Sequence, residues 1–260
     1  MASMLLSAKV RPHMVAFYNF ARHADDIADH TTIKKDERLK SLMEINHNLN
    51  DGNEINLPGW ALPYLHIVNE GHCSKKYGLA LLSAFIQDVT KSRYESWDEL
   101  IDYCMRSAAP VGRTVLELHN ETEANFDASD KLCNVLQILN HLQDLKEDFL
   151  LRDRVYIPSG WLGDINELGQ NNETKGVRNS INRSLDRVDK MVIESEPVIP
   201  SIAGFRLRAE IDTIFYVAKT LSKKLRKNDP IKDRVRLSSN EKLSCFIKGI
   251  FYSFKSVVRK

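Results

Sequence analysis

The run Gln137-Ile138-Leu139-Asn140-His141-Leu142-Gln143-Asp144-Leu145-Lys146-Glu147-Asp148 carries two periodic patterns at once. Leu136, Leu139, Leu142 and Leu145 recur at three-residue steps, while Gln137, Asn140, Asp144 and Asp148 step by three, four and four. Both are helical spacings, so the segment reads as one helix over about 128–151, apolar on one side and striped with amides and carboxylates on the other. A merely solvated face would ordinarily be built from Lys and Glu, because Asn and Asp compete with the backbone for hydrogen bonds and weaken a helix. Short carboxylates at this spacing suit a hard cation that takes oxygen ligands.

A second acidic constellation, Ala24-Asp25-Asp26-Ile27-Ala28-Asp29, ends a helix expected over about 11–29, with Pro12 in its first turn. Asp25 and Asp29 share a face one turn apart, where like charges repel, so a compensating cation is expected. Phe17, Phe20, Ala21, Ala24 and Ala28 fill neighbouring faces and mark the helix as packed. Either carboxylate pair alone reads more readily as a solvated face than as a site. Together, with Arg22 on the first helix and Arg154 just past the second, they point to magnesium held against a diphosphate. Magnesium is usually shared between one or two protein carboxylates and substrate phosphate oxygens, and arginine adds bidentate contacts to a leaving diphosphate.

Outward from these two segments the chain reads as all-α. Apolar residues recur at three- and four-residue spacing over 77–91, 97–120, 177–194 and 202–227, and alternating strand-like runs are almost absent. The stretch 30–60 opens polar and ends in Asp51-Gly52-Asn53, so a short helix and a surface loop are expected there. Pro110 and Gly112 interrupt 97–120 beside Ser107-Ala108-Ala109, a bend that either opens room for a ligand or lets two helices pack closely. Pro158 keeps Ile157 out of helix.

At 260 residues, one domain spanning 1–260 is expected. With 37 basic and 35 acidic residues the formal charge is +2, which gives no field to attract nucleic acid. Cys73, Cys104, Cys133 and Cys245 form no CxxC pair, so the reading is a cytoplasmic protein without a zinc ribbon or disulfide framework. No signal peptide or membrane span is expected. The tail 240–260 mixes Phe246, Ile247, Ile250, Phe251, Phe254 and Val257 with Lys248, Lys255, Arg259 and Lys260. It reads either as a basic amphipathic helix lying peripherally on the inner face of the cell membrane, or as a terminal helix packed with its lysines outward.

Tyr18-Asn19-Phe20-Ala21-Arg22-His23-Ala24-Asp25-Asp26-Ile27-Ala28-Asp29 and Asn140-His141-Leu142-Gln143-Asp144, with Asp148, Arg154, Tyr156 and Pro158, resemble the aspartate-rich motifs of the squalene/phytoene synthase family in order and context. The resemblance also covers Gln87-Asp88-Val89-Thr90 to Tyr94 and Tyr103 to Arg113, so it runs from about Leu5 to about Pro158 and weakens beyond. It implies a single isoprenoid-synthase helical bundle around a hydrophobic cavity, with Mg2+ bridging a prenyl diphosphate substrate to Asp25, Asp29, Asp144 and Asp148. By the same resemblance Asn140 joins the second metal cluster. Tyr18, Arg22, Tyr103, Gln137 and Gln143 fall at catalytic positions, and Arg22, Arg154, Tyr156, Ala108, Val111 and Gly112 fall at positions that hold the diphosphate or line the cavity.

Most head-to-head condensing members carry arginine where this chain has Gln143. Asn-x-x-Gln-Asp, Arg11-Pro12-His13 and the Ser-Ala-x-Pro-Val-Gly-Arg run look most like the bacterial hopanoid-pathway branch that turns presqualene diphosphate into hydroxysqualene. A neutral amide in place of a cationic ligand is consistent with ionising one diphosphate followed by water capture. Partner enzymes of that pathway are then expected. The family usually has a further segment ahead of Leu5, Ala109 stands where this branch has asparagine, and Asp153 where it has glycine. The alternatives are a head-to-head prenyltransferase making squalene, presqualene diphosphate or phytoene, and an inactive helical remnant or interaction protein. A di-iron bundle is disfavoured, because only Glu44-Ile45-Asn46-His47 has the required Glu-x-x-His form.

Overall fold

The computed structural model describes residues 7–258, with side chains placed as far as Phe254. Twelve α-helices follow one another among the described residues: α1 (Arg11–Asp29), α2 (Lys35–Asp51), α3 (Leu62–Asn69), α4 (Lys75–Thr90), α5 (Trp97–Ser107), α6 (Ala109–Leu118), α7 (Phe126–Gln143), α8 (Leu145–Arg152), α9 (Lys175–Ser195), α10 (Val198–Ser201), α11 (Phe205–Leu225) and α12 (Ser239–Val258). Among the described residues, extended backbone pairs only at an isolated parallel bridge between Arg93 and Val155. The fold is all-α, as its spacing predicts. Lys255, Val257, Arg259 and Lys260 of the tail lie outside the described side chains.

Two apolar cores are stacked in the bundle. α1 to α4 bury Phe17, Phe20, Leu42, Leu49, Tyr64 and Leu82, while α5, α7, α9 and α11 bury Leu100, Val135, Leu139, Ile181, Leu185 and Phe215. α1 therefore packs on α2, α3 and α4, and α7 on α5, α6, α9 and α11, so the two acidic helices belong to different halves. The segment after α8 joins these halves. Val155 N–H donates to the Ser92 carbonyl at 2.9 Å, and Ser159 N–H to the Tyr94 carbonyl at 2.8 Å, which carries Arg154 between α1 and α4.

Two expectations need correction. The 30–60 stretch is not short helix and surface: α2 runs for 17 residues, and Leu42, Ile45 and Leu49 bury its inner stripe against α4. Those residues repeat at three and four beneath a polar composition, and Gly52, at φ +69°, closes the helix in the left-handed conformation that favours glycine. The helix over 128–151 is also not continuous. It breaks at Asp144 (φ −102°, ψ 9°), so the polar stripe passes from α7 to α8 across a hinge rather than along one straight face. The bend near Pro110 lies at Ala108 (φ −123°, ψ −48°), which lets Pro110 sit in the first turn of α6 where its missing N–H is tolerated.

Candidate active site

On α1 the residues Met14, Tyr18, Arg22, Asp25 and Asp29 descend one face, and on α7 and α8 the residues Ser129, Cys133, Gln137, Asn140, Asp144 and Asp148 do the same. In both, the apolar or uncharged end comes first and the carboxylates last. An apolar cavity of about 330 Å³ occupies the first end, lined by Met14, Val15, Tyr18, Val111, Val115 and Leu136 among others. Tyr18 is half exposed at that wall. Val111 lines the same space. Gly112 lines it too, but a Cβ there would meet Cys133 Sγ and Ser129 Oγ at 2.6 Å each, so its smallness also lets α6 press on α7. Ala108 and Ala109 are buried at the bend. Both sequence readings of this small-residue run therefore hold.

The carboxylates lie at the other end. Arg152 Nε lies 3.1 Å from Asp29 Oδ2, and its Nη1 lies 3.2 Å from Asp148 Oδ1, so one guanidinium spans the first motif and the second. Burial and the neighbouring Asp29 carboxylate push Asp25 up to about 7. Burial likewise lifts Asp148 to about 7, against Arg152 and with Asp144 and Asp29 adding to the rise. Asp144 is raised chiefly by burial. Half-buried carboxylates drawn from α1 and from the α7–α8 junction offer oxygen donors alone, the ligand chemistry of a hard divalent cation. Asp25 and Asp29 on α1 and Asp144 and Asp148 at the α7–α8 junction are the carboxylates at this end, and Asn140, one turn before Asp144 on α7, is exposed. Arg22 pairs with Asp25 at 3.3 Å and Asp26 at 2.7 Å, and more than half of its side chain is exposed at the rim.

Several predicted residues do other work. Arg154 was expected to touch a diphosphate, but it is buried and its nitrogens are taken: Nε by the Asp88 carbonyl at 3.0 Å, Nη1 by Asp29 at 2.6 Å and Nη2 by the Ala28 carbonyl at 3.1 Å. It orients Asp29. Tyr103 and Tyr156 were placed at the substrate, yet both hydroxyls donate to buried Asp88, at 2.7 and 3.0 Å. Asp88 is pushed up to about 6 by burial, with the Arg154 guanidinium opposing the rise. His141 stacks on Tyr156 at 3.5 Å, and burial holds it near 3, so it is a neutral wall. His23 is exposed, stacked on Trp60 with Nδ1 2.7 Å from the Asn19 carbonyl. Gln137 is half-buried on α7 between the cavity and Asn140.

Gln143 turns to a segment that the sequence reading left unassigned. Its Nε2 donates to the Val235 carbonyl, and in the same strap Arg234 pairs with Asp144 at 2.5 Å. Arg152, Arg234 and Asp88 are thus the functional candidates that sequence reading missed. Asp88 was in view within Gln87-Asp88-Val89-Thr90, and an acid in an otherwise apolar helical stripe was the available signal.

The chain matches the squalene/phytoene synthase family model over residues 1–241. It is 38% identical to a hydroxysqualene synthase of Sinorhizobium fredii, covering 93% of this chain and 84% of that one. It is 35% identical to a hydroxysqualene synthase of Zymomonas mobilis, covering 93% and 83%. Among solved structures it superposes on squalene synthase HpnC from Alicyclobacillus acidocaldarius with a TM-score of 0.71 at 26% identity, covering 87% and 86% of the two chains. It also superposes on a dehydrosqualene synthase at a TM-score of 0.83 and 19% identity, covering 96% and 89%, which speaks to fold alone. A chain with these relatives, with a carboxylate pair on α1, another at the α7–α8 junction and an apolar cavity lined by the earlier turns of α1 and α7, is a prenyl diphosphate-utilising enzyme of isoprenoid biosynthesis, and it belongs to the squalene/phytoene synthase family.

Proposed function

We propose that the chain ionises presqualene diphosphate and captures the resulting carbocation with water, giving hydroxysqualene and free diphosphate. The observation that carries this is the bridge Arg152 makes between Asp29 of the first acidic motif and Asp148 of the second, on helices whose earlier turns line the apolar cavity. The 38% identity to a hydroxysqualene synthase supports the choice of reaction within the family. Mg2+ held by Asp25, Asp29, Asp144, Asp148 and Asn140 would supply charge neutralisation for the departing diphosphate. Arg22 at the rim and Arg234 on the strap would bind the diphosphate oxygens. Arg154 fixes Asp29, and the wall formed by Val111, Val115 and Leu136 would shield the prenyl chain from bulk water. Gln143 would act by holding the strap rather than by touching the leaving group. Turnover of presqualene diphosphate in isotopically labelled water tests the reading: label in the product hydroxyl supports water capture, and an unlabelled hydrocarbon product rules it out.

A second reading concerns the surface, where we infer peripheral contact with an anionic membrane at the cytoplasmic face. No described helix is long and apolar enough to cross a membrane. α12, however, packs small residues inward and large ones outward. Cys245, Gly249 and Ser253 face α11, and a Cβ on Gly249 would meet the Thr213 backbone at 2.7 Å. Leu243, Ile247, Phe251 and Phe254 are each more than half exposed, beside exposed Lys242 and Lys248. An apolar face interleaved with lysines suits lipid headgroups and the acyl boundary beneath them, where an insoluble product would leave. Co-sedimentation with phosphatidylglycerol vesicles should be lost in Ile247→Glu/Phe251→Glu, and equal binding by that variant removes the idea. In a pathway, the enzyme then stands after a prenyltransferase that makes presqualene diphosphate.

A further inference from the structure

A second cluster of metal-ligating side chains lies at the opposite end of α1 from the carboxylates. His13, Glu70 and His72 each offer one ligand atom, and the three atoms lie within 4.8 Å of one another. The His13 and His72 rings stack with centroids 4.3 Å apart, and His72 Nε2 is 3.3 Å from Glu70 Oε2. His13 is twelve residues before Asp25 on the same helix, so the cluster is about 18 Å from the acidic site along the axis. The mechanism above uses none of these three residues.

Backbone devices hold all three donors. His13 follows Pro12 in the first turn of α1, where proline's fixed φ sets the helix start. Glu70 caps α3, Gly71 takes the left-handed conformation at φ +77°, and His72 follows it. Gly71 N–H donates to the Val68 carbonyl at 2.9 Å and His72 N–H to the Ile67 carbonyl at 3.0 Å, the paired closing bonds of a Schellman turn. That turn brings Glu70 and His72 together on either side of the glycine. Two segments far apart in sequence thus present two imidazoles and one carboxylate to a common point. His13 and His72 also line an open recess of about 720 Å³, through which an ion or a water can reach the cluster.

We propose that His13, Glu70 and His72 form a site for a borderline divalent transition-metal ion of the zinc class, clamping the start of α1 to the α3–α4 turn. Two imidazole nitrogens and one carboxylate, with a fourth position open to water, form a donor set that zinc accepts, whereas magnesium takes oxygen donors. The next residues on α1, Met14 and Val15, line the prenyl cavity, so the clamp fixes one wall of that cavity from outside it. The role is structural, and the carboxylate chemistry does not depend on it.

The test is calorimetric titration of Zn2+ into the chelator-stripped full chain in saturating Mg2+, with Co2+ as a spectroscopic probe. One equivalent binding at micromolar dissociation constant or tighter is expected, together with the visible absorption of a four-coordinate Co2+. Binding should weaken at least about tenfold in Glu70→Gln and disappear in His13→Ala/His72→Ala, and it should persist in Asp25→Asn/Asp148→Asn. Glu70 and His72 are exposed, so Glu70→Gln keeps the fold and remains informative if the double histidine variant does not. Zinc binding that is absent, unchanged in Glu70→Gln, or lost with the aspartates overturns the proposal.

Discussion

Gln143 Nε2 donates to the main-chain carbonyl of Val235, ninety-two residues away, and so ties the strap between α11 and α12 to the end of α7. In that strap Val235 and Leu237 are buried and Arg234 and Arg236 are exposed, an alternation that aims the arginines away from the core. Arg234 reaches Asp144 at 2.5 Å. A neutral amide on α7 thereby brings a cation to the acidic site from elsewhere in the chain. Gln143→Ala removes one hydrogen bond, worth roughly 1 kcal/mol, and frees the arginine it positions. Expected is a fall in kcat/KM of about tenfold, matched by Arg234→Ala, with the double variant scarcely worse than either single one. Fully additive losses would show that the two residues act separately.

The four carboxylates should behave as a unit distinct from their neighbour. Asp25→Asn, Asp29→Asn, Asp144→Asn and Asp148→Asn are each expected to reduce diphosphate release at least about a hundredfold, equivalent to roughly 2.7 kcal/mol of barrier. Asp26 is paired to Arg22, with about half of its side chain exposed, and Asp26→Asn should cost less than about tenfold. Release of diphosphate, measured by a coupled phosphate assay, separates the two classes.

Asp25 and Asp148, each raised to about 7, also give the protein a pH signature. A carboxyl whose folded value lies above its unfolded value near 4 binds more protons folded than unfolded between those limits, so stability falls as pH rises through that window. The metal-free protein is therefore expected to melt lower at pH 8 than at pH 5 by several degrees. Mg2+ should restore the loss at pH 8 and do little at pH 5, where protons compete for the same oxygens. Differential scanning calorimetry on wild type and Asp25→Asn checks this, the variant showing a shallower decline.

Arg154 should matter to stability before it matters to turnover. Its guanidinium is buried among Asp29, Asp88 and the Ala28 carbonyl, and removing one member of such a set leaves charge without a partner. Arg154→Ala is expected to cost about 3 kcal/mol in urea denaturation, and Arg154→Lys should recover only part of it, since one ammonium cannot serve three separated oxygens.

The cavity makes a prediction of its own. Val111→Trp fills space at the wall of the roughly 330 Å³ chamber without touching the acidic end. Turnover of a long prenyl diphosphate should fall at least about tenfold, with Mg2+ binding by calorimetry unchanged.

The parts legible in the sequence were those that repeat. The helix over 11–29 has the bounds its spacing gives, and both carboxylate pairs lie where a period of three and four puts them. Contacts between non-neighbouring segments leave no such period. Arg152 sits on α8 one turn past Asp148, but its second partner, Asp29, belongs to the other half of the bundle. Arg234 lies in an irregular strap whose path is set by Val235 and Leu237 packing inward. Arg154 was read from its place just past the second motif and Tyr156 from the resemblance, yet their inward turn to Asp29 and Asp88 depends on the chain pairing with Ser92 and Tyr94, which only the fold reveals. The hinge at Asp144 was hidden because the period continues through it.

The most direct measurement is product analysis by mass spectrometry after incubating the purified chain and Mg2+ with presqualene diphosphate or farnesyl diphosphate separately. The account predicts hydroxysqualene and one equivalent of diphosphate from presqualene diphosphate, and no condensation of farnesyl diphosphate. Presqualene diphosphate or a longer hydrocarbon formed from farnesyl diphosphate, or a folded protein inert toward both, would contradict it.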